Sequence, residues 1–282
     1  MEVFTLKTHL GARIESLKNQ GKTIGFVPTM GALHEGHLSL IEQSIKENDS
    51  TVVSIFVNPT QFDRKDDLEK YPRTLERDLY LLEQTDKNMI VYIPVAEDLY
   101  QGTVEAKHYA LNGLDKTMEG KYRPGHFDGV ATVVHKLFEA VRPHKAYFGE
   151  KDFQQLRIIQ TLVENLKLPV EIIPVKIYRE KDGLAMSSRN RRLKPEMRQA
   201  APFIYQTLKQ AASMKPNHSP GEIKRQVELA FEKHPLLRLE YFEIADEENL
   251  QPAKKFDPRK KYRGFIAVFA GDVRLIDNIP LN

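Results

Sequence analysis

Short apolar segments alternate with amphipathic helical segments through the first two-thirds of this 282-residue chain. Predicted strands, most of them rich in Val and Ile, lie at 23–29, 51–57, 89–93, 145–149 and 170–175. Predicted helices lie between them at 37–47, 72–85, 127–141 and 152–166. Strands this apolar are typical of parallel sheets that are covered by helices on both faces. The alternation therefore predicts a doubly wound, Rossmann-like α/β domain with right-handed crossovers.

The pattern changes after about residue 193. Two helical segments, 195–214 and 220–233, precede strand-like runs at 239–245, 265–269 and 273–276. Helices followed by adjacent strands predict a smaller α+β domain. We therefore expect a first domain of residues 1–185 and a C-terminal domain of residues 186–282.

Composition excludes several classes of protein. The chain has no cysteine, so it has no disulfide, thiol nucleophile or zinc–thiolate site. No apolar run approaches the roughly 20 residues that cross a bilayer, and the N-terminus lacks a signal-peptide pattern. A net charge of +3 is too small to argue for nucleic acid, although basic residues cluster at 189–194 and 254–263. We expect a cytoplasmic protein with no membrane or nucleic-acid partner.

Two histidines follow the first predicted strand, at the start of the next helix. Ligands of such sheets bind beyond the carboxyl ends of the strands. A helix N-terminus attracts anions through unpaired N–H groups and a partial positive charge. There His34 and His37 could donate hydrogen bonds to nucleotide phosphates and stabilise charge that develops in a transition state. The alternative is a polar turn with a capping histidine.

Two further polar clusters follow the fourth and fifth predicted strands. After the fourth, Lys151 could neutralise phosphates and Asp152 could accept hydrogen bonds from a ribose, or Asp152 could simply be a favourable helix-start acid. After the fifth, Ser187, Ser188 and Arg189 form a hydroxyl-rich loop that could wrap phosphate oxygens as a mobile lid, or be an ordinary linker.

Amide and carboxylate side chains complete the candidate site. Gln61 and Gln155 suit a small polar substrate with a hydroxyl and a carboxylate, whereas Asn58 and Gln61 could instead just close a turn. Asp78 could bind a hydrated Mg²⁺ or be an ordinary solvated helix residue. The sequence matches neither glycine-rich nucleotide fingerprint nor the Gly-x-Ser-x-Gly elbow of hydrolases.

Five motifs together resemble one family. His34-Glu-Gly-His37 is similar to the HxGH signature of nucleotidyltransferases related to class I aminoacyl-tRNA synthetases, and Met186-Ser-Ser-Arg189 is similar to their second signature. The complete set is Pro28 to His37, Phe56 to Phe62, Arg123 to Phe127, Phe148 to Gln155 and Asp182 to Asn190. In this order and spacing it resembles the pantothenate synthetase (pantoate–β-alanine ligase) family, closely through the first two-thirds of the chain.

The resemblance implies ATP-dependent condensation of (R)-pantoate with β-alanine through a pantoyl adenylate, with release of pyrophosphate and AMP. It implies pantoate contacts from Met30, Asn58, Gln61, Arg123 and Gln155. It implies ATP contacts from Met30, His34, His37, Gly149, Lys151, Asp152, Ser187, Ser188 and Arg189. Of these, the catalytic residues would be His34, His37, Lys151 and Arg189.

The resemblance also implies a metal and an assembly. Asp78 would help to hold Mg²⁺, although Arg77 stands where some relatives carry a second acid. Residues 1–185 would bind ATP and pantoate, and residues 186–282 would form the lid. The family is typically a homodimer, in which residues 103–111 could supply an edge strand for pairing.

Two other functions remain open at this point. A plain nucleotidyltransferase would transfer AMP to a phosphate-bearing acceptor, which would demand more basic groups near Gln61 and Gln155. A non-catalytic RNA-binding module would use the C-terminal basic run, but that run lacks interleaved aromatic residues.

Overall fold

Six parallel strands form the larger sheet of the computed structural model, which describes residues 1–62, 68–69 and 71–281. The strands are β1 (Glu2–Phe4), β2 (Ile24–Thr29), β3 (Ser50–Ile55), β4 (Ile90–Tyr92), β5 (Lys145–Gly149) and β6 (Glu171–Val175). Their order is β1-β4-β3-β2-β5-β6, so the direction of winding reverses between β2 and β5. This order confirms the doubly wound prediction, and each of the five predicted parallel strands is present with bounds shifted by two residues or fewer.

Helices cover both faces of this sheet. They are α1 (Lys7–Asn19), α2 (Glu35–Glu47), α3 (Leu75–Thr85), α4 (Ala96–Tyr100), α5 (Met118–Tyr122), α6 (His126–Val141) and α7 (Phe153–Leu166). Neighbouring strand residues point to opposite faces: Phe26 packs in the core under α1, α6 and α7, whereas Val27 packs in the core under α2 and α3. Both faces of the sheet are therefore buried, which explains why the strand sequences are continuously apolar.

The sequence patterns missed or misplaced some N-terminal elements. Strand β1 and helix α1 were not predicted; α1 buries only Leu10, Ile14 and Leu17, so its apolar stripe is narrow. The helix predicted from residue 72 begins at Leu75, because Thr74 occupies the position before the first helical residue. Residues 103–111 have no regular secondary structure, and their pairing with a second copy stays a prediction.

A three-stranded antiparallel sheet and three helices form the C-terminal domain. These elements are α8 (Pro195–Ala200), α9 (Phe203–Met214), α10 (Pro220–Glu232), β7 (Leu237–Asp246), β8 (Tyr262–Ala270) and β9 (Val273–Pro280). The single helix predicted at 195–214 is two helices, because Pro202 has no N–H to continue the ladder. Leu184 already packs in this second core.

Strand β9 extends four residues beyond its predicted end at residue 276. Asp277 and Asn278 interrupt the apolar pattern there, yet both are buried. A buried polar pair of this kind must find hydrogen-bond partners, and these two find them next to the candidate active site. Within the described residues, no helix is long and apolar enough to span a bilayer.

Candidate active site

A cavity of about 230 Å³ lies at the carboxyl ends of β2 and β5, where the sheet reverses its winding. Crevices at such reversals are the usual ligand sites of doubly wound sheets. The predicted residues that line it are Met30, His34, His37, Asn58, Gln61, Gly149, Lys151, Asp152, Gln155, Ser187, Ser188 and Arg189. A second cavity of about 390 Å³ adjoins it and shares Lys151, Asp152, Gln155, Ser187 and Arg189. Of the predicted site residues, only Arg123 and Asp78 lie outside the first cavity's lining.

The histidine pair is held in one geometry by the start of α2. His34 has extended backbone and occupies the position before the first helical residue. Its N–H donates to Nδ1 of His37 at 3.3 Å, and the two rings stack with their centroids 4.0 Å apart. Because Nδ1 of His37 accepts a hydrogen bond, the proton of the neutral ring sits on Nε2. His37 is therefore a donor at Nε2.

Both histidines are neutral at pH 7. Burial lowers the pKa of His34 to about 4, and the charges of Lys151 and Arg191 contribute to that lowering. Burial and the neighbouring His34 and Lys151 hold the pKa of His37 well below its ordinary value. The rings thus serve as N–H donors rather than as cations, and the nearby positive charges come from Lys151 and Arg191.

Gly36 allows this pair to form. A Cβ atom at residue 36 would lie 3.0 Å from both Cε1 and Nδ1 of His34, and 3.5 Å from Cβ of Met186. The first distance is tighter than ordinary packing permits, so a side chain there would push on the His34 ring. A side chain at residue 36 would therefore require the His34 ring to shift by a few tenths of an ångström, which would disturb the stacked pair.

The carboxylate of Asp78, for which the resemblance implied a metal role, bonds to the main chain in this structure. It is buried, and its two oxygens accept hydrogen bonds from the N–H groups of Ala32 and Leu33, both at 2.8 Å. Thr74 donates to the same carboxylate at 3.1 Å. Asp78 thus holds the turn that leads to His34 through two main-chain hydrogen bonds. Among the described residues no cluster of three acidic or histidine side chains suits a metal ion.

Asn58 lines the cavity but is buried and hydrogen-bonded within the protein. Its Nδ2 donates to Gln61 Oε1 and to the carbonyl of Gly129, both at 3.2 Å. Its Oδ1 accepts from the hydroxyls of Tyr100 at 2.6 Å and Thr60 at 3.1 Å. Every polar position of the amide is used, which leaves none for a ligand. Asn58 instead fixes the orientation of Gln61.

Gln61 consequently presents its amide N–H₂ group. With Oε1 occupied by Asn58, its Nε2 points toward Sδ of Met30 at 3.0 Å, and both side chains line the cavity. Sulfur is a weak acceptor, so a ligand oxygen would be a better partner. Gln155 reaches both cavities from the first turn of α7.

The short turn Glu150–Asp152 brings two charged side chains to the cavity. Lys151 Nζ lies 3.6 Å from a carboxylate oxygen of Asp152, and the lysine side chain is 19% exposed. Asp152 stands at the position before α7 but makes no capping hydrogen bond. Its carboxylate therefore lines both cavities instead of closing the helix end.

The serine-rich loop contacts the histidine turn directly. Ser187 Oγ accepts from the N–H of Arg189 at 3.3 Å and opens the short helical turn Ser188–Arg192. On that turn, Arg191 donates from Nη2 to the carbonyl of Leu33 at 3.2 Å, which ties the loop to the residue before His34. The sequence did not single out Arg191, because a run of basic residues does not show which member bonds to the histidine turn.

Arg123 lies behind Gln61 and lines the second cavity rather than the first. Its Nη2 donates to the carbonyl of Gln61 at 3.3 Å. The same cavity contains an ion-paired cluster that no sequence pattern indicated. Arg274 donates to both oxygens of Glu119 at 2.7 Å, and Tyr241 donates to Glu119 at 2.8 Å. Burial raises the pKa of Glu119, but Arg274 outweighs it, so the net pKa is below the usual value.

Comparison with known proteins identifies the family. Residues 2–280 match the family model described as pantoate–β-alanine ligase. The chain is 50% identical over 281 residues to pantothenate synthetase of Flavobacterium psychrophilum, covering 100% of both chains. A pantothenate synthetase of Bacteroides fragilis is 50% identical over 279 residues, which cover 99% of this chain and 98% of the relative.

Solved structures support the same family assignment. Pantothenate synthetase from Thermus thermophilus superposes with a TM-score of 0.91 at 40% identity, covering 100% of this chain and 99% of that one. Pantoate–β-alanine ligase from Francisella tularensis, solved with a β-γ ATP ligand and β-alanine, gives a TM-score of 0.81 at 35% identity, covering 100% and 98%. The resemblance seen in the motifs is confirmed, and the chain belongs to the pantoate–β-alanine ligase (pantothenate synthetase) family of enzymes.

Proposed function

We propose that this enzyme condenses pantoate with β-alanine in two steps through a pantoyl adenylate. In the first step a pantoate carboxylate oxygen attacks the α-phosphorus of ATP, and the bond to the leaving pyrophosphate breaks. In the second step the β-alanine amine attacks the acyl carbon, AMP leaves, and the amine loses a proton. The observation that carries the proposal is that neutral imidazoles, cationic side chains and the amides of Gln61 and Gln155 line one and the same cavity.

The phosphate end of the cavity suits a transition state that gains negative charge. Neutral His34 and His37 donate N–H groups without giving up a proton, and the start of α2 adds its partial positive charge. Lys151 supplies a compact charge, and Arg189 supplies a planar guanidinium that can hold two oxygens. Ser187 and Ser188 line the same cavity on the loop, and in this proposal Asp152, also in the lining, accepts hydrogen bonds from the ribose.

The amide side chains of the lining suit an uncharged diol with one carboxylate. The Nε2 of Gln61 is oriented as a donor, Gln155 adds a second amide, and Met30 supplies apolar contact. A phosphate-bearing acceptor, the second candidate, would require cationic side chains here. The cationic Arg123 lies behind Gln61 and bonds to its carbonyl.

An acyl adenylate hydrolyses readily, so we infer that the site excludes water while the intermediate is bound. The contact between Arg191 and the Leu33 carbonyl closes the serine-rich loop onto the histidine turn. In this proposal residues 1–185 bind ATP and pantoate, and residues 186–282 cover them. Mg²⁺ that accompanies ATP would take phosphate oxygens and water as ligands rather than Asp78, and we assign it no step. A cytoplasmic homodimer is part of the same proposal.

Pyrophosphate exchange tests the adenylation step. Labelled pyrophosphate should enter ATP when pantoate is present and β-alanine is absent. An exchange that requires β-alanine would exclude an adenylate formed before the amine binds, and an exchange that requires a phosphate-bearing acceptor would favour the second candidate.

Alanine substitutions test the role of the histidines. His34→Ala and His37→Ala should each raise the exchange barrier by about 2–4 kcal/mol, the cost of a lost transition-state donor. His9→Ala is the matched control, since His9 is exposed on α1. Wild-type exchange rates in both His34→Ala and His37→Ala would indicate that the two histidines only cap the helix.

A further inference from the structure

The C-terminal domain contacts the lysine-bearing turn through one buried amide. Asn278 lies on β9 and is 1% exposed. Its Nδ2 donates to the carbonyl oxygens of Glu150 at 2.8 Å and of Lys151 at 2.9 Å. These carbonyls belong to the short turn that carries the chain from β5 into α7. Two hydrogen bonds from one rigid amide restrain both the position and the tilt of that turn.

Asn278 is itself restrained at its other polar groups. Its Oδ1 accepts from Nη1 of Arg263 at 2.6 Å, and its N–H donates to Asp277 at 2.7 Å. The Arg263 guanidinium is buried, stacks 4.0 Å from the ring centroid of Phe153 and pairs with Glu247 at 2.8 Å, so its position is restrained. If the Asn278 amide were rotated by 180°, its oxygen would face the carbonyl oxygens of Glu150 and Lys151, and its N–H₂ group would face the Arg263 guanidinium. The amide therefore has one acceptable orientation.

The neighbouring residue of β9 restrains the second phosphate-facing segment. Asp277 accepts two hydrogen bonds from Arg179, at 2.6 and 2.9 Å. Arg179 also donates to the carbonyl of Gly183, just before the serine-rich loop. Adjacent residues of one strand thus connect to both the lysine turn and the loop that ends at Arg189.

We propose that Asn278 is a positioning residue for the adenylation step, which sets Lys151 in place opposite the two histidines. The inference rests on the proposed function, and it gives the C-terminal domain a part in phosphate chemistry beyond covering the site. Asn278 lines the second cavity, but its side-chain N–H groups bond to the carbonyls of the lysine turn. In this proposal it therefore acts through Lys151, so its removal must lose its effect when Lys151 is already absent.

The first test measures exchange in two variants of the full chain. Asn278→Ala removes the amide, and Asn278→Asp keeps its size but cannot donate to either carbonyl when ionised. Each should lower kcat of pantoate-dependent exchange about 10- to 100-fold, as small misplacements of catalytic groups do, with KM for pantoate unchanged. Asn217→Ala, at an exposed residue, is the control. Wild-type kcat in both Asn278 variants overturns the proposal, and thermal melts confirm that each variant is folded.

The second test is a double-mutant cycle with Lys151→Ala. Asn278→Ala should change kcat less than about twofold when Lys151 is already alanine. An equal loss in both backgrounds overturns the proposal, because a merely structural defect would act independently of Lys151.

A measurement of ATP affinity tests the role of Asn278 separately from the proposed function of the enzyme. By calorimetry without pantoate, Asn278→Ala should weaken ATP binding severalfold in the wild-type background and not in Lys151→Ala. Absence of pantoate-dependent exchange in the wild-type enzyme would refute the proposed function, while this binding cycle still decides the role of Asn278. Unchanged ATP affinity together with unchanged kcat overturns it.

Discussion

Replacing Asp78 by Asn should destabilise the protein without changing its requirement for Mg²⁺. The carboxylate accepts two main-chain N–H groups at 2.8 Å, from Ala32 and Leu33. An amide keeps one oxygen acceptor but turns an N–H₂ group toward the other N–H. One charge-assisted hydrogen bond is then lost, at about 1.5–3 kcal/mol, and the other loses its charge, at roughly 0.5–1.5 kcal/mol.

The expected sum is a fall of about 2–4.5 kcal/mol in the free energy of unfolding, since the affected groups are buried. Urea denaturation gives this quantity from the midpoint, provided that the slope is unchanged. Glu76→Gln is the matched control, because Glu76 is an exposed acid in the first turn of the same helix. It should change the free energy of unfolding by less than about 0.5 kcal/mol.

Magnesium titration of the exchange reaction decides between the two roles of Asp78. A residue that holds the turn before His34 should leave the Mg²⁺ concentration for half-maximal rate unchanged once the folded fraction is corrected for. A metal ligand should raise that concentration at least tenfold and leave stability nearly intact. The second pattern would refute our account of Asp78.

Three further outcomes follow from the same geometry. Gly36→Ala should lower exchange kcat at least tenfold in a folded protein, because its Cβ lies 3.0 Å from the His34 ring; a wild-type kcat would contradict this. Gly129→Ala should raise KM for pantoate and lower the free energy of unfolding by about 1–3 kcal/mol, because its Cβ would lie 2.2 Å from the carbonyl oxygen of Thr60, next to Gln61. Unchanged kinetics and an unchanged melting temperature would argue against this. The pKa of His34 is about 4 in the folded protein and about 6.5 in the unfolded chain. The free energy of unfolding of the ligand-free protein should therefore fall by up to about 3 kcal/mol as the pH is lowered from 6.5 to 4. Parallel pH–stability curves for wild type and His34→Gln would contradict this.

Local sequence patterns were sufficient to predict most of the fold. The strands of the larger sheet are apolar because both of their faces are buried, and that signal does not depend on which helix covers which face. The exceptions have local causes. Helix α1 buries a narrow stripe, Pro202 divides a helical run, and the buried polar residues Asp277 and Asn278 end the apolar pattern of β9 early.

The candidate site was predictable where a residue's role depends on its position at a strand end. His34, Lys151 and Gln61 follow three different parallel strands, and parallel strands present their carboxyl ends at one edge. Roles that depend on hydrogen-bond partners were not predictable in this way. Asn58 and Asp78 carry suitable polar groups for a ligand, and only their partners in the fold show that these groups are already used.

The sequence by itself determined the α/β architecture, the family and the cluster of residues proposed to face ATP, because backbone periodicity and short motifs are local properties. The tertiary structure decided which polar groups remain available and which hold others in place. Asp78 bonds to a turn 46 residues away, Asn278 to a carbonyl 127 residues away, and Arg191 to one 158 residues away. No local pattern contains such pairings, since they arise only when packing brings distant segments within hydrogen-bonding distance.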